Sequence, residues 1–281
     1  MVISTIGRLD SLGSLFADLK EQTVMPECVI VVNQSEICLD NALAELRSVM
    51  PVDVISSPRG LSAGRNRGGF AIADRVDFLT FPNDTSRYSP QFIANLVPRL
   101  KGCAIGAVSC VDELGPRYAI PNEDVVLDKE NVWKILEPGL IISSTIFVDS
   151  GGFDEMLGSG ASSPWQSGEG TDLLLRIGQR PTVCRFMGQL SIFGKFETSG
   201  LQPRDRRRKL RAYGRGYGFV QSRWQYSKIR RFRSIMGALT LFFRSKGKYN
   251  LRDSVSIAVG RVEGLLGRTF DQREDQRAVH R

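Results

Sequence analysis

Through its first hundred residues the chain alternates short apolar runs with apolar residues at helical spacing, and this limits the fold more than any other feature. Val2–Ile6 reads as a strand, followed by Leu12, Leu15, Phe16 and Leu19 on one helical face. Cys28-Val-Ile-Val-Val32 is a continuous, largely β-branched run, the composition of a strand covered on both sides in a parallel sheet. Leu43, Leu46 and Met50 mark a second helix, Val52–Ile55 a third strand and Val76–Phe81 a fourth. A Gly- and Arg-rich loop, Arg59–Arg67, leads into a helix around Gly68–Ala73. Ser89-Pro90 has the N-cap and N1 chemistry to open a helix carrying Phe92, Ile93 and Leu96. Alternation at this spacing implies a doubly wound, mostly parallel α/β sheet flanked by helices, whose ligands bind beyond the carboxyl ends of the strands. Three polar segments fall at such ends: Asn33-Gln34-Ser35, the Arg59–Arg67 loop and Asn83-Asp84.

After Leu100 the pattern loosens. Ala104–Val111 and Gly139–Val148 read as strand regions, residues 112–138 as acidic and irregular, and Thr182–Phe186 as a last strand. From Pro203 onward Arg, Lys, Tyr and Trp interleave with short apolar helices, which divides the chain into a domain at 1–202 and a basic helical extension at 203–281. Charge follows a similar division. Residues 1–194 carry 16 Lys+Arg against 23 Asp+Glu, a net of −7, whereas residues 195–281 carry 22 against 7, a net of +15. A basic extension on an acidic body is suited to an anionic surface.

Composition removes several chemistries. The one histidine is His280, which excludes Ser-His-Asp and Cys-His catalysis and His-ligated zinc. Five scattered cysteines (28, 38, 103, 110, 184), with no Cys-x-x-Cys pair, read as reduced core cysteines of an intracellular protein. The opening residues read as a strand rather than a signal peptide, and the apolar run Ile235–Phe243 is far short of the ~20 residues a spanning helix needs. Carboxylates, hydroxyls, backbone dipoles or a hard cation are left to do the chemistry.

The most informative acids lie in Ser167-Gly-Glu-Gly-Thr-Asp172, which runs into Leu173-Leu-Leu-Arg176. Glu169 and Asp172 are three apart, on one face of a helix's first turn, where backbone N–H groups stabilise negative charge. Either one is suited to act as a general base or to help hold a cation, and a capping arrangement that only starts the helix uses the same residues.

Taken in order, these segments resemble the family 2 glycosyltransferases of the GT-A fold. Val2-Ile-Ser-Thr-Ile-Gly-Arg8 resembles the family's first nucleotide-contacting strand, and Glu21–Ser35 its "Q-T…P…IIVVDDGS" stretch. Arg59-Gly-Leu-Ser-Ala-Gly-Arg-Asn-Arg-Gly68 is similar to its "G-x-S-x-A-R-N-x-G" loop, and Phe81-Pro-Asn-Asp84 sits where its Asp-x-Asp motif belongs. Gly151-Gly-Phe-Asp-Glu155 and Ser167–Arg176 resemble "G-F-D-E…G-E-D-x-D-L…R". The resemblance spans roughly residues 2–195 and implies a hexosyltransferase-type enzyme that inverts the anomeric carbon of a nucleotide-diphosphate sugar. It implies nucleotide-sugar contacts at Thr5, Gln34, Ser35, Arg59, Arg65, Asn66, Asn83, Asp84 and Trp165. It also implies a divalent cation, Mg²⁺ or Mn²⁺, at Asp84. Here the pattern thins, because Asn83 and Thr85 stand beside Asp84 where the family supplies more acid. Gly170 likewise takes the place of the family's base, leaving Glu169 as base and Asp172 as its partner or as an acceptor binder.

In the extension, Arg204–Arg211 holds six basic residues in eight, followed by Ala212-Tyr-Gly-Arg-Gly-Tyr-Gly-Phe219, Trp224, Tyr226 and a second cluster at Lys228–Arg233. A solvated charge run, RNA binding and interfacial membrane anchoring all use such composition. The expectation is anchoring, with Ile235–Phe243 and Val255–Leu266 lying in the interface, no nucleic acid bound, and a cytoplasmic protein peripheral to the inner face of the membrane. A polyprenyl-diphosphate-linked or other glycan acceptor in cell-surface polysaccharide synthesis fits that placement. The competing readings are a non-catalytic nucleotide-sugar or membrane-binding protein on the same fold, and an RNA-binding α/β protein.

Overall fold

Residues 1–195, 198–245 and 247–270 are described by a computed structural model; His280 lies outside them. In chain order the elements are β1 (Val2–Thr5), α1 (Leu9–Lys20), β2 (Val29–Asn33), α2 (Asp40–Arg47), β3 (Val52–Ser56), α3 (Leu61–Ile72), β4 (Phe78–Thr80), β5 (Ser86–Arg87) and α4 (Phe92–Leu96). There follow β6 (Ile105–Asp112), β7 (Gly115–Pro116), β8 (Asn122–Val126), β9 (Leu140–Ser143), α5 (Ser144–Asp149), α6 (Glu169–Ile177) and β10 (Val183–Gly194). The last four are α7 (Pro203–Arg223), α8 (Lys228–Leu239), α9 (Leu241–Arg244) and α10 (Leu251–Leu266).

The chain forms two units. The first comprises residues 1–59, 63–153 and 173–195. Here β1, β2 and β3 make an all-parallel sheet in that order, with Val2 opposite Ile30 and Val29 opposite Val52. Burial of Val29–Val32 on both sides explains its unbroken apolar composition. The second sheet runs β4-β9-β6-β10-β5, with β7 on β6 and β8 on β10. It is mixed rather than parallel: β6 and β10 pair parallel, and every other pairing is antiparallel. The parallel expectation therefore holds for the first sheet and for one pair of the second. Leu12, Leu15, Phe16 and Leu19 of α1 pack with Leu43 and Leu46 of α2 into one core.

Local differences from the sequence expectation have simple causes. The Arg59–Arg67 loop is mostly helix, since α3 already begins at Leu61. Residues expected to extend a strand to Val148 turn into α5, with the Ser144 hydroxyl bonded to the Asp77 carbonyl. At α4 the N-cap is Gln91, and Ser89 contributes only its carbonyl, which accepts from the Phe92 amide. The acidic stretch at 112–138 holds two short strands, β7 and β8.

The second unit comprises residues 60–62, 154–172 and 198–270. The expected boundary at 202/203 coincides with the start of α7 at Pro203, but the unit built around the tail also takes in the loop before α6. Its centre is the pair α7 and α10, which touch backbone to backbone. A Cβ on Gly264 would stand 2.0 Å from the Arg215 carbonyl oxygen, and one on Gly218 would stand 2.2 Å from that of Arg261. Leu210, Ala238, Ile257 and Ala258 form its small apolar core. Its Arg206, Arg211 and Arg215 are paired internally. Buried Glu263 accepts from Arg211 at 2.9 and 2.6 Å and from Arg215 at 2.8 Å, and Asp253 accepts from Arg206 at 3.0 Å. Burial alone would raise the Glu263 carboxyl, but the two guanidinium groups and the Phe270 amide hold it below its ordinary value.

Candidate functional site

In the first unit the expected residues gather at the carboxyl ends of β1 and β2. A parallel bridge between Ser4 and Asn83 brings the turn after β4 alongside β1. Asp84, buried there, accepts from the Thr5 hydroxyl at 2.9 Å and from Arg8 Nε at 3.0 Å, while Arg8 Nη2 closes a two-point grip on its other oxygen. Thr5 Oγ1 also accepts from the Gly7 amide, fixing the turn that carries Arg8. Gln34 donates its amide to the Pro58 carbonyl, and Ser35 bonds the Asn33 side chain through both its amide and its hydroxyl.

Arg65 and Asn66 reach this region because α3 lies almost on the sheet. A Cβ on Gly68 would meet Val2 at 2.4 Å, and one on Gly64 would meet Ser4 at 2.6 Å, so only glycine permits the approach. Arg65, fully buried, donates Nη2 to the Asn83 side-chain oxygen at 3.2 Å and lies 5.5 Å over the Phe153 ring. Asn66 bonds the Phe153 main chain at both ends of its amide, 2.9 and 2.8 Å, which fits a structural tether for the Gly151-Gly-Phe153 turn. Arg59 is exposed at the end of this unit's first segment.

The second unit holds the other expected acids. Glu169 opens α6 and is buried; a Cβ on Gly158 would stand 3.1 Å from its carboxyl carbon and 2.9 Å from the Ser62 hydroxyl, so these groups surround one point. Asp172 is fully buried, accepting from the Trp224 indole N–H at 2.8 Å, with Arg223 Nη1 at 3.6 Å. Arg223 is also bonded to Asp154, and that bond chiefly holds its pKa above the ordinary range. Trp165 is stacked on Phe219, centroids 4.6 Å apart and planes at 11°. Gly216 allows α7 to touch the loop before α6, since its Cβ would stand 2.2 Å from the Ser167 carbonyl.

The expected cation does not fit what Asp84 offers. Both carboxylate oxygens already face a guanidinium, the neighbouring side-chain oxygen of Asn83 faces a second one, and no group of three or more His, Cys, Asp or Glu suited to a metal occurs among the described residues. Sequence reasoning missed Arg8, Arg223 and Trp224. Arg8 directly follows the first strand and its Gly7 turn, the one local signal that marked it.

The tail's helices are placed differently from the interfacial expectation. Much of Val255–Leu266 is packed against α7, and Ile235 and Leu239 against the small core. On α8 the outward residues are Ile229 (66% exposed), Phe232 (63%) and Met236, at helical spacing, and Phe243 of α9 is 77% exposed. No described helix is long and apolar enough to cross a membrane.

Together these elements are the GT-A fold with a basic helical C-terminal region, the fold class expected from the sequence. Solved structures share it. S. aureus TarS 1–349 in complex with UDP superposes with a TM-score of 0.59 at 11% identity, covering 96% of this chain and 92% of that one. The same protein in complex with UDP-GlcNAc gives 0.60 at 12% identity over the same shares, and S. aureus TarS itself gives 0.57 at 11%, covering 93% of this chain and 54% of that one. No family model and no curated protein matches the sequence.

Proposed function

We propose that the chain is an inverting glycosyltransferase that moves a sugar from a nucleotide-diphosphate donor to a hydroxyl of a glycan or lipid-linked acceptor. The observation that carries this reading is the cluster of Thr5, Arg8, Arg65, Asn83 and Asp84 at the ends of β1 and β4, on a fold that in TarS holds UDP and UDP-GlcNAc. Strand ends are where open α/β sheets take ligands, and a buried arginine beside an exposed one suits a diphosphate. Gln34 and Ser35, just beyond the end of β2, are the residues this reading gives to the nucleoside.

In this reading Glu169 takes the proton of the acceptor hydroxyl as that oxygen attacks the anomeric carbon. The bond from that carbon to the donor's diphosphate breaks, and the nucleoside diphosphate leaves with inversion. Asp172, held by Trp224 and Arg223, positions the helix start that carries Glu169. Trp165, stacked on Phe219, is the residue this reading gives to an acceptor sugar. Thermal unfolding with UDP, GDP and TDP tests donor binding: one of the three should raise the midpoint, and no response to any removes the reading. Release of free sugar from the matching donor then separates an enzyme from a binding protein.

The surface of α8 and α9 supports association with an anionic membrane. Lys228, Arg230, Arg231 and Arg233 alternate with outward Ile229 and Phe232, the composition of a helix lying in the headgroup region. In this reading the enzyme works at the inner face of the cell membrane, on a polyprenyl-diphosphate-linked acceptor.

A further inference from the structure

We propose that Arg8 does the work of a divalent cation in this protein, so that the donor's diphosphate is held by a guanidinium and binding needs no metal. The inference rests on the donor-binding reading above and adds what neutralises the donor's charge.

Three observations point to it. First, Asp84 is the one carboxylate at this turn, and it receives Arg8 through both oxygens and Thr5 through one, so three of its roughly four acceptor sites are taken and its charge is already paired with a guanidinium. Second, the adjacent position is Asn83, whose side-chain oxygen accepts from the buried Arg65. Two arginines thus stand where a metal centre would need two acids and a cation. Third, Arg8 is 55% exposed although it is tethered. Its grip on Asp84 uses two of five N–H donors, and the other three remain on a planar fork fixed in orientation by the carboxylate. Asp84 is therefore the orienting residue and Arg8 the phosphate ligand. Arg8 and Arg65 against the single charge of Asp84 leave a net positive site, whereas the loss of a second acid removes the repulsion that a cation would otherwise have to offset.

The test is UDP binding by calorimetry, with GDP and TDP in parallel, in EDTA and again in Mn²⁺. Wild type should bind its nucleotide equally in both, within about twofold. Arg8→Ala should bind at least about tenfold more weakly in EDTA, the loss of one charge-assisted contact, with no rescue by Mn²⁺. Because Arg8→Ala leaves a buried carboxylate without its cation, Arg8→Ala with Asp84→Asn is measured beside it. That pair removes both charges, should unfold near the wild-type midpoint, and should show the same weakened binding. Wild-type binding that requires Mn²⁺, or unweakened binding in the double variant, overturns the inference while leaving the donor-binding reading standing. Absence of binding by wild type under every condition overturns both.

Discussion

Glu169 and Asp172 stand three residues apart in one helical turn, yet their surroundings differ. Asp172 is fully buried under an indole N–H and a guanidinium, a setting that fixes a side chain in place. Glu169 sits beside Gly158 and Ser62 at the helix start. Glu169→Gln should lower kcat by about 10²- to 10⁴-fold with little change in the unfolding midpoint, the range for loss of a general base. Asp172→Asn should instead lower the unfolding midpoint, because Arg223 loses a buried partner, with a smaller fall in turnover. Steady-state kinetics and calorimetric scans on both variants check this. Equal turnover of Glu169→Gln and wild type would remove the assigned base.

At the scale of elements, α7 shows how a run of residue types carries more than one meaning. Tyr213-Gly-Arg-Gly-Tyr-Gly218 has the look of a basic, aromatic binding segment. In the fold its glycines are contact points: Gly218 meets α10, and Gly216 meets the Ser167 loop. Gly264→Ala should force α7 and α10 apart, costing about 1–3 kcal/mol and several degrees in midpoint, because the blocking atom is backbone and cannot rotate away. Glu263 adds a pH dependence. Its folded pKa lies below the ordinary 4.5, so its contribution is complete above that value and is lost as pH falls through the folded value. Glu263→Gln should therefore lower the midpoint at pH 7 and flatten the loss of stability in acid. Periodicity made the strands and helices of the first unit legible, along with the polar residues at the strand ends, because burial on two sides imposes a composition. The mixed pairing of the second sheet was not legible, since short apolar runs do not encode their partners. Nor was the Arg8–Asp84 grip, which joins residues 76 positions apart.

For the molecule as a whole, the net of +15 on residues 195–281 already includes the ion pairs of Arg206, Arg211 and Arg215 with Asp253 and Glu263. The outward feature is the apolar stripe on α8 and α9 with its interleaved cations. Sedimentation with vesicles containing phosphatidylserine should fall at least about fivefold when Ile229, Phe232 and Phe243 are all replaced by Ser. Unchanged pelleting would contradict membrane docking. Cutting the chain at 202 is a poorer test, since α7 touches the loop that leads into Glu169.

The most direct measurement is a crystal structure of the full chain grown with the nucleoside diphosphate that raises its unfolding midpoint. The expected result places the diphosphate within hydrogen-bonding distance of Arg8, with the base beside Gln34 at the end of β2. Density for the nucleotide anywhere away from the carboxyl ends of β1 and β2, or none at saturating concentration, would contradict it.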